Sequence, residues 1–137
     1  MQYQEIIRTH PDVRGSTNDT LLRAVEAAFD CAQACIACAD ACLAEQEVDR
    51  LRQCIRLNLD CADVCSMTGR LGTRRTGSNE ALLQAALGLC AEACRTCGAE
   101  CRRHARHHEH CSICAESCEQ CARACDEAAG SIQPGLQ

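Results

Sequence analysis

The sixteen cysteines of this 137-residue chain fall at helical intervals. In "CAQACIACADAC" they are Cys31, Cys35, Cys38 and Cys42; in "CAEACRTCGAEC" they are Cys90, Cys94, Cys97 and Cys101. Both runs step by 4, 3 and 4. "CSICAESCEQCARAC" places Cys111, Cys114, Cys118, Cys121 and Cys125 at steps of 3, 4, 3 and 4. Cys54, Cys61 and Cys65 step by 7 and 4, with Asn58 in the vacant place. A mean spacing of 3.5 residues is that of a buried bundle seam. Leu and Ile normally fill such a seam. Here every cysteine of the chain sits on one.

Thiols on a seam can do three things. A buried free Cys can act as a small hydrophobe. A core of Cys and Ala, however, buries too little apolar volume to account for sixteen of them. Disulfides within a helix are not expected. Side chains at i and i+4 have Cβ atoms about 5–6 Å apart, wider than the roughly 3.5–4.5 Å of a bridge. Cross-helix bridges stay open, although a reducing compartment disfavours them. Metal binding is the third use, because a soft ion fits between two such sulfurs. Soft thiolates select Cu(I), Zn(II) or iron–sulfur clusters. Zinc wants closed sets of four ligands, and iron–sulfur clusters want four cysteines around a discrete pocket. A continuous sulfur ladder suits Cu(I) better. If each sulfur bridges two ions and each ion takes two sulfurs, capacity is on the order of one Cu(I) per cysteine. Each ion offsets one thiolate charge, which eases the cost of burying it.

Helices must carry these thiols. Alanine, the strongest helix former, supplies 22 residues, and the only prolines are Pro11 and Pro134 near the ends. Four helices are predicted, over 18–44, 48–69, 79–104 and 107–128. Asn18 or Asp19 and Ser78 are candidate N-caps. "GRLGTRRTGSN" (69–79) reads as a loop, with three glycines and turn-forming Ser and Asn. Residues 1–16 form an N-terminal arm with a candidate short helix at its start, 17–128 the bundle, and 129–137 a flexible tail. An internal repeat relates the halves: the first four cysteines recur 59 residues on, and Cys54, Cys61 and Cys65 recur 60 residues on as Cys114, Cys121 and Cys125. Two copies of a helical hairpin predict an all-α fold, an antiparallel up-down four-helix bundle with a cysteine-lined core.

The two ends of such a bundle differ. Leu21, Leu22, Val25, Leu82, Leu83 and Leu87, with Met67 and Leu71, gather at one end as an apolar plug, Met67 reading as core filler rather than ligand. "RRHARHHEHC" (102–111) lies at the other and holds four of the five histidines. His104 continues the Cys97–Cys101 seam, and one of His107 and His108 should continue the seam of Cys111. These imidazoles are candidates to catch a metal at a mouth, against the alternative of a solvated basic turn. Asn58 is polar on an inward seam and is expected to hydrogen-bond in the half of the tube nearer the mouth.

Composition excludes several classes. The net charge is −5, and the aromatics are one Tyr and one Phe. Neither suits a nucleic-acid partner, which wants a basic face and stacking rings. No apolar run approaches the roughly 20 residues of a membrane span, and "MQYQEIIRTHPDV" lacks a signal-peptide core. A cytoplasmic location is therefore expected. "CIAC", "CRTC" and "CSIC" are C-x-x-C pairs, but without the strand-to-helix context of thiol redox enzymes. No enzyme activity is expected.

The inward cysteine ladder of "CAQACIACADAC", "CAEACRTCGAEC" and "CSICAESCEQCARAC" resembles that of the bacterial copper storage proteins, cytosolic branch, over about residues 17–128. The resemblance implies storage of many Cu(I) ions without turnover, a homotetramer and a histidine-bearing open end. The matching positions are the sixteen cysteines with His104, His107 and His108. Copper donor or acceptor proteins, or small thiols, would be the partners. An iron–sulfur electron-transfer protein and a zinc thiolate reservoir are the competing functions.

Overall fold

The computed structural model describes residues 2–132. The elements are α1 (Gln2–Thr9), α2 (Asp19–Leu43), a 3-10 turn (Val48–Leu51), α3 (Arg52–Thr73), α4 (Glu80–His104) and α5 (Glu109–Gly130). Helices α2 to α5 form the bundle.

Local sequence explains the boundaries. Asn18 caps α2, its Oδ1 accepting the Leu21 N–H at 3.0 Å, and Asp19 complements the positive end of the helix dipole. Asn79 is the cap residue of α4, one place beyond Ser78, whose hydroxyl instead donates to the Glu80 carboxylate. Arg102, Arg103 and His104 occupy the last turn of α4, where positive charge is favoured.

Helix α3 runs to Thr73, so the predicted loop shrinks to 74–79. Packing is the reason. A Cβ at Gly69 would lie 2.8 Å from the Phe29 ring, and one at Gly72 would lie 2.6 Å from Val25 Cγ2. These glycines bring the α3 backbone against α2 rather than breaking the helix.

Sulfur contacts fix the topology. Cys31 and Cys35 of α2 meet Cys94 and Cys97 of α4 in the same order, so these helices are parallel. Cys31, Cys35 and Cys38 meet Cys118, Cys114 and Cys111 of α5 in reverse order. Cys54 and Cys65 of α3 meet Cys101 and Cys90 of α4 in reverse as well. The bundle is the expected antiparallel, up-down one.

Leu21, Val25, Leu83 and Leu87 close one end, each at most 2 % exposed. Full burial of such a side chain is worth about 1.5–3 kcal/mol. Leu22 and Leu71 are half-buried there. Met67 and Leu82 are not core: they are 41 % and 59 % exposed. Each lies one place, about 100° of helix, from a buried neighbour (Thr68 and Leu83). The predicted N-terminal helix is α1, whose Ile7 is buried and whose Gln4 amide donates to Glu26 at 2.5 Å. The last helix extends to Gly130, and Ile132 is buried. Gln84 Nε2 donates to the carbonyls of Ala129 and Ile132 at 2.9 and 3.0 Å. The start of the predicted tail is thus fastened to the bundle, and 133–137 lie outside the described residues.

Candidate metal centre

All sixteen cysteines are buried and unbridged, each at most 3 % exposed. The seam spacing aims them at one axis, and their sulfurs approach one another along its length. Near the closed end, Cys65 lies 3.6 Å from both Cys90 and Cys94, and Cys121 lies 3.9 Å from Cys125. At mid-tube, Cys31 is 3.8 Å from Cys118, and Cys35 is 3.8 Å from Cys114 and Cys118. Toward the other end, Cys54 is 3.8 Å from Cys101 and Cys38 is 4.0 Å from Cys111.

These spacings suit shared metal ions. With metal–sulfur bonds near 2.3 Å, two sulfurs on one ion lie at most about 4.6 Å apart. Sets of four ligand atoms within 4.8 Å of one another include Cys31–Cys65–Cys94–Cys121, Cys31–Cys35–Cys61–Cys118 and Cys35–Cys97–Cys114–Cys118. The sets overlap: Cys31, Cys35 and Cys118 each belong to two of them. A separate tetrahedral zinc site would not share its ligands with the next. Bridging thiolates on adjoining soft ions would.

Charge follows from burial. Burial pushes the Cys42 thiol up to about 11, with charge on Cys54 adding to the effect, and burial raises Cys111 also. An empty tube therefore holds these two groups as thiols. A monovalent ion that displaces one proton from a thiol leaves the net charge of the tube unchanged.

The histidines do not sit as the seams alone suggest. His104 is half-buried, and its Nε2 pairs with Glu100 Oε2 at 2.9 Å, so that nitrogen is turned to a carboxylate. His107 is exposed. His108 is the N-cap residue of α5, with extended backbone (φ −139°, ψ 108°), and its Nδ1 meets Glu45 Oε2 at 2.8 Å. The helix that would carry the seam back to His107 and His108 has not begun there.

His110, which the seam extrapolation passes over, reaches the sulfurs. Its Nδ1 is 3.4 Å from Cys38 Sγ and 3.7 Å from Cys111 Sγ. Its Nε2 is 3.0 Å from Glu45 Oε2. With the Glu45 carboxylate accepting a hydrogen bond from Nε2–H, Nδ1 is left as the acceptor facing the thiols. That is the usual arrangement of an imidazole prepared to ligate metal. The hydrogen bond from His110 in turn holds the Glu45 carboxyl below its usual range. Cys38, Cys42, His110 and Cys111 form one more four-ligand set. The signal was present in the sequence, since His110 precedes Cys114 by four residues.

Asn58 is wholly buried among the sulfurs. Its Oδ1 accepts from Cys97, Cys101 and Cys114, and its Nδ2 donates to Cys54 Sγ at 3.8 Å.

The fold and site together define a helical bundle with a metal-binding thiol interior. A family model described as copper storage protein matches residues 17–130, and the chain belongs to that family. It is similar to the copper storage protein Ccsp from Streptomyces lividans loaded with 10 copper equivalents: 45 % identity, TM-score 0.90, covering 95 % of this chain and 99 % of that one. A cytosolic copper storage protein from Streptomyces lividans with five coppers is 47 % identical, at TM-score 0.82 over 84 % and 96 % of the two chains. The Cu(I)-bound copper storage protein BsCsp3, from Bacillus subtilis, is 36 % identical, at TM-score 0.68 over 77 % and 94 %.

Proposed function

We propose that this chain stores Cu(I) in the cytosol, holding a string of cuprous ions along the tube through its sixteen cysteines. The overlap of adjoining four-sulfur sets carries this reading. Shared ligands favour bridged Cu(I) thiolate over isolated zinc sites or discrete iron–sulfur clusters. Membership of the copper storage family and the copper-loaded relatives support it. The cytosolic location rests on the relative described so and is consistent with the described residues, where no helix is long and apolar enough to cross a membrane.

Copper enters and leaves at the end where Cys38, Cys42, His110 and Cys111 meet, because leucines seal the other. His110 is the imidazole ligand there. His104 and His108, held by Glu100 and Glu45, lie where they can pass an ion inward, and His107 is free to meet it in solvent. A copper donor or acceptor, protein or small thiol, docks at this end. The chain binds and releases its cargo without turning over a substrate.

The working form is a homotetramer. Phe29, Ile36 and Leu43 recur every seven residues on the outer face of α2, at 43–61 % exposure, and supply apolar surface for other copies.

Anaerobic purification from copper-supplemented cells, followed by metal analysis and light scattering, tests the reading. Colourless tetramers carrying many copper ions are expected. A brown protein containing iron and sulfide, or one holding zinc in preference to Cu(I), contradicts it.

A further inference from the structure

Two hollows open on the outside of the bundle toward its closed end. The larger, of about 900 Å³, is lined by Arg23, Arg70 and Arg74 but also by Glu26 and Asp30. Its guanidinium groups share the space with carboxylates. The smaller, of about 550 Å³, is lined by His10, Arg74, Arg75 and Thr76 and walled by Leu71 and Leu82. Among the described residues no carboxylate lines it.

The cations of the smaller hollow are not paired within the fold. Arg50, Arg52, Arg56, Arg95, Arg102 and Arg103 each meet a carboxylate, whereas Arg74 and Arg75 form no ion pair among the described residues. The carboxylates beside the 74–79 loop are held by other donors. Asp12 Oδ2 accepts the Gly77 N–H at 3.3 Å, and the Glu80 carboxylate accepts from the Ser78 hydroxyl. Glu80 feels the charge of Arg75 without pairing with it.

The N-terminal arm completes the hollow. His10 Nδ1 accepts the Asp12 N–H at 3.0 Å, so the ring proton lies on Nε2, 3.2 Å from Thr76 Oγ1. The Thr76 oxygen accepts that bond and keeps its own O–H to donate. His10 precedes the stretch that the family model matches, which starts at residue 17. A guanidinium is a planar fork of five N–H donors that grips phosphate oxygens two at a time. Two such forks on adjacent residues, a hydroxyl, and no carboxylate in the lining suit a dianion. Leu71 is half-buried and Leu82 is 59 % exposed. Such an apolar wall gives an organic group something to pack on.

We propose that the hollow between the N-terminal arm and the α3–α4 loop binds a small phosphate monoester, its phosphate held by Arg74 and Arg75 and its organic part against Leu71 and Leu82. Bound there, the ester ties the arm to the loop at the end of the bundle away from the mouth. The proposal does not depend on the copper reading.

The test uses the full chain, reduced and copper-free, at fixed ionic strength. It is titrated calorimetrically with adenosine monophosphate, inorganic phosphate and adenosine in turn. Phosphate should bind with a dissociation constant on the order of 1 mM, the ester about threefold tighter or more, and adenosine not measurably. Arg74→Gln and Arg75→Gln should each weaken the ester about tenfold, and His10→Ala should cause a smaller loss. Arg106→Gln, an exposed guanidinium near the mouth, should change nothing. No saturable binding of either anion by about 10 mM would overturn the proposal. So would an equal loss in Arg106→Gln, which would mean diffuse charge rather than a site. Equal affinity for phosphate and ester would assign the hollow to the free ion and overturn the ester. Adenosine binding as tightly as the ester would show that the guanidinium groups take no part. Arg74 is exposed, so if Arg75→Gln does not fold, Arg74→Gln decides: unchanged affinity overturns the site, and a tenfold loss supports it.

Discussion

The two ends of the bundle are built from different materials. At the closed end, Leu21, Val25, Leu83 and Leu87 are buried, and Gly72 lets α3 come close to Val25, Leu21 and Leu83. At the mouth, the buried volume is mostly thiol, with Leu51 of the 3-10 turn wholly buried in the same core, and polar pairs surround it: Glu45 with His108 and His110, and Glu100 with Arg103 and His104. The first end obtains its stability from apolar burial. The second obtains little that way and instead arranges ligands. The difference explains how a chain so poor in large side chains can fold empty and yet keep an interior for metal. Stability and cargo capacity are separated along one axis.

That separation can be broken by mutation, and the largest effect is expected at the closed end. Leu87→Ala empties a site that is 1 % exposed and should destabilise the copper-free chain by about 2–5 kcal/mol. Cu(I) capacity, counted by native mass spectrometry, should not change. Gly72→Ala comes next. Its new Cβ would lie 2.6 Å from Val25 Cγ2, and the strain should cost about 1–3 kcal/mol, read from the guanidinium midpoint, again with capacity intact.

At the mouth the pattern should invert. His110→Ala removes a ring 27 % exposed by side chain, so the copper-free midpoint should hardly move. Retention of the copper nearest the opening should weaken on the order of tenfold or more, since disturbing even an outer-shell partner can cost that much. Chelator competition would show it. Loss of capacity in Leu87→Ala, or of stability alone in His110→Ala, would dissolve the distinction between the ends. The smallest effect is expected on the solvent-exposed outer surface. Arg102 and Glu119 form a two-pronged ion pair at 2.7 and 2.9 Å, with both side chains over 40 % exposed. Arg102→Ala should cost less than about 1 kcal/mol and leave copper binding unchanged, as urea unfolding and chelator competition would report.

Much of this was legible in the sequence, for a physical reason. A seam is a period, and cysteines at steps of three and four can share one face only on a helix. The four helices, their alternation and the inward thiols follow from that spacing. What did not follow depends on where a period stops. One of His107 and His108 is expected on the extrapolated seam of α5, but the backbone is extended at His108, and the ring within reach of Cys38 and Cys111 is His110. Likewise Gly69 and Gly72 look like loop residues until Phe29 and Val25 are seen lying against them. Leu82 and Leu83 are equally apolar in sequence, and only the rotation of α4 about its axis buries the second and exposes the first. The hydrogen bonds of Asn58 needed the structure as well, because their partners come from two other helices.

The central claim is that one continuous sulfur interior holds many cuprous ions. An anaerobic titration of the fully reduced chain with Cu(I), against a chromophoric chelator, tests it most directly. Tight uptake of about one ion per cysteine is the predicted result. Saturation at one to four ions would mean discrete sites, and would contradict it.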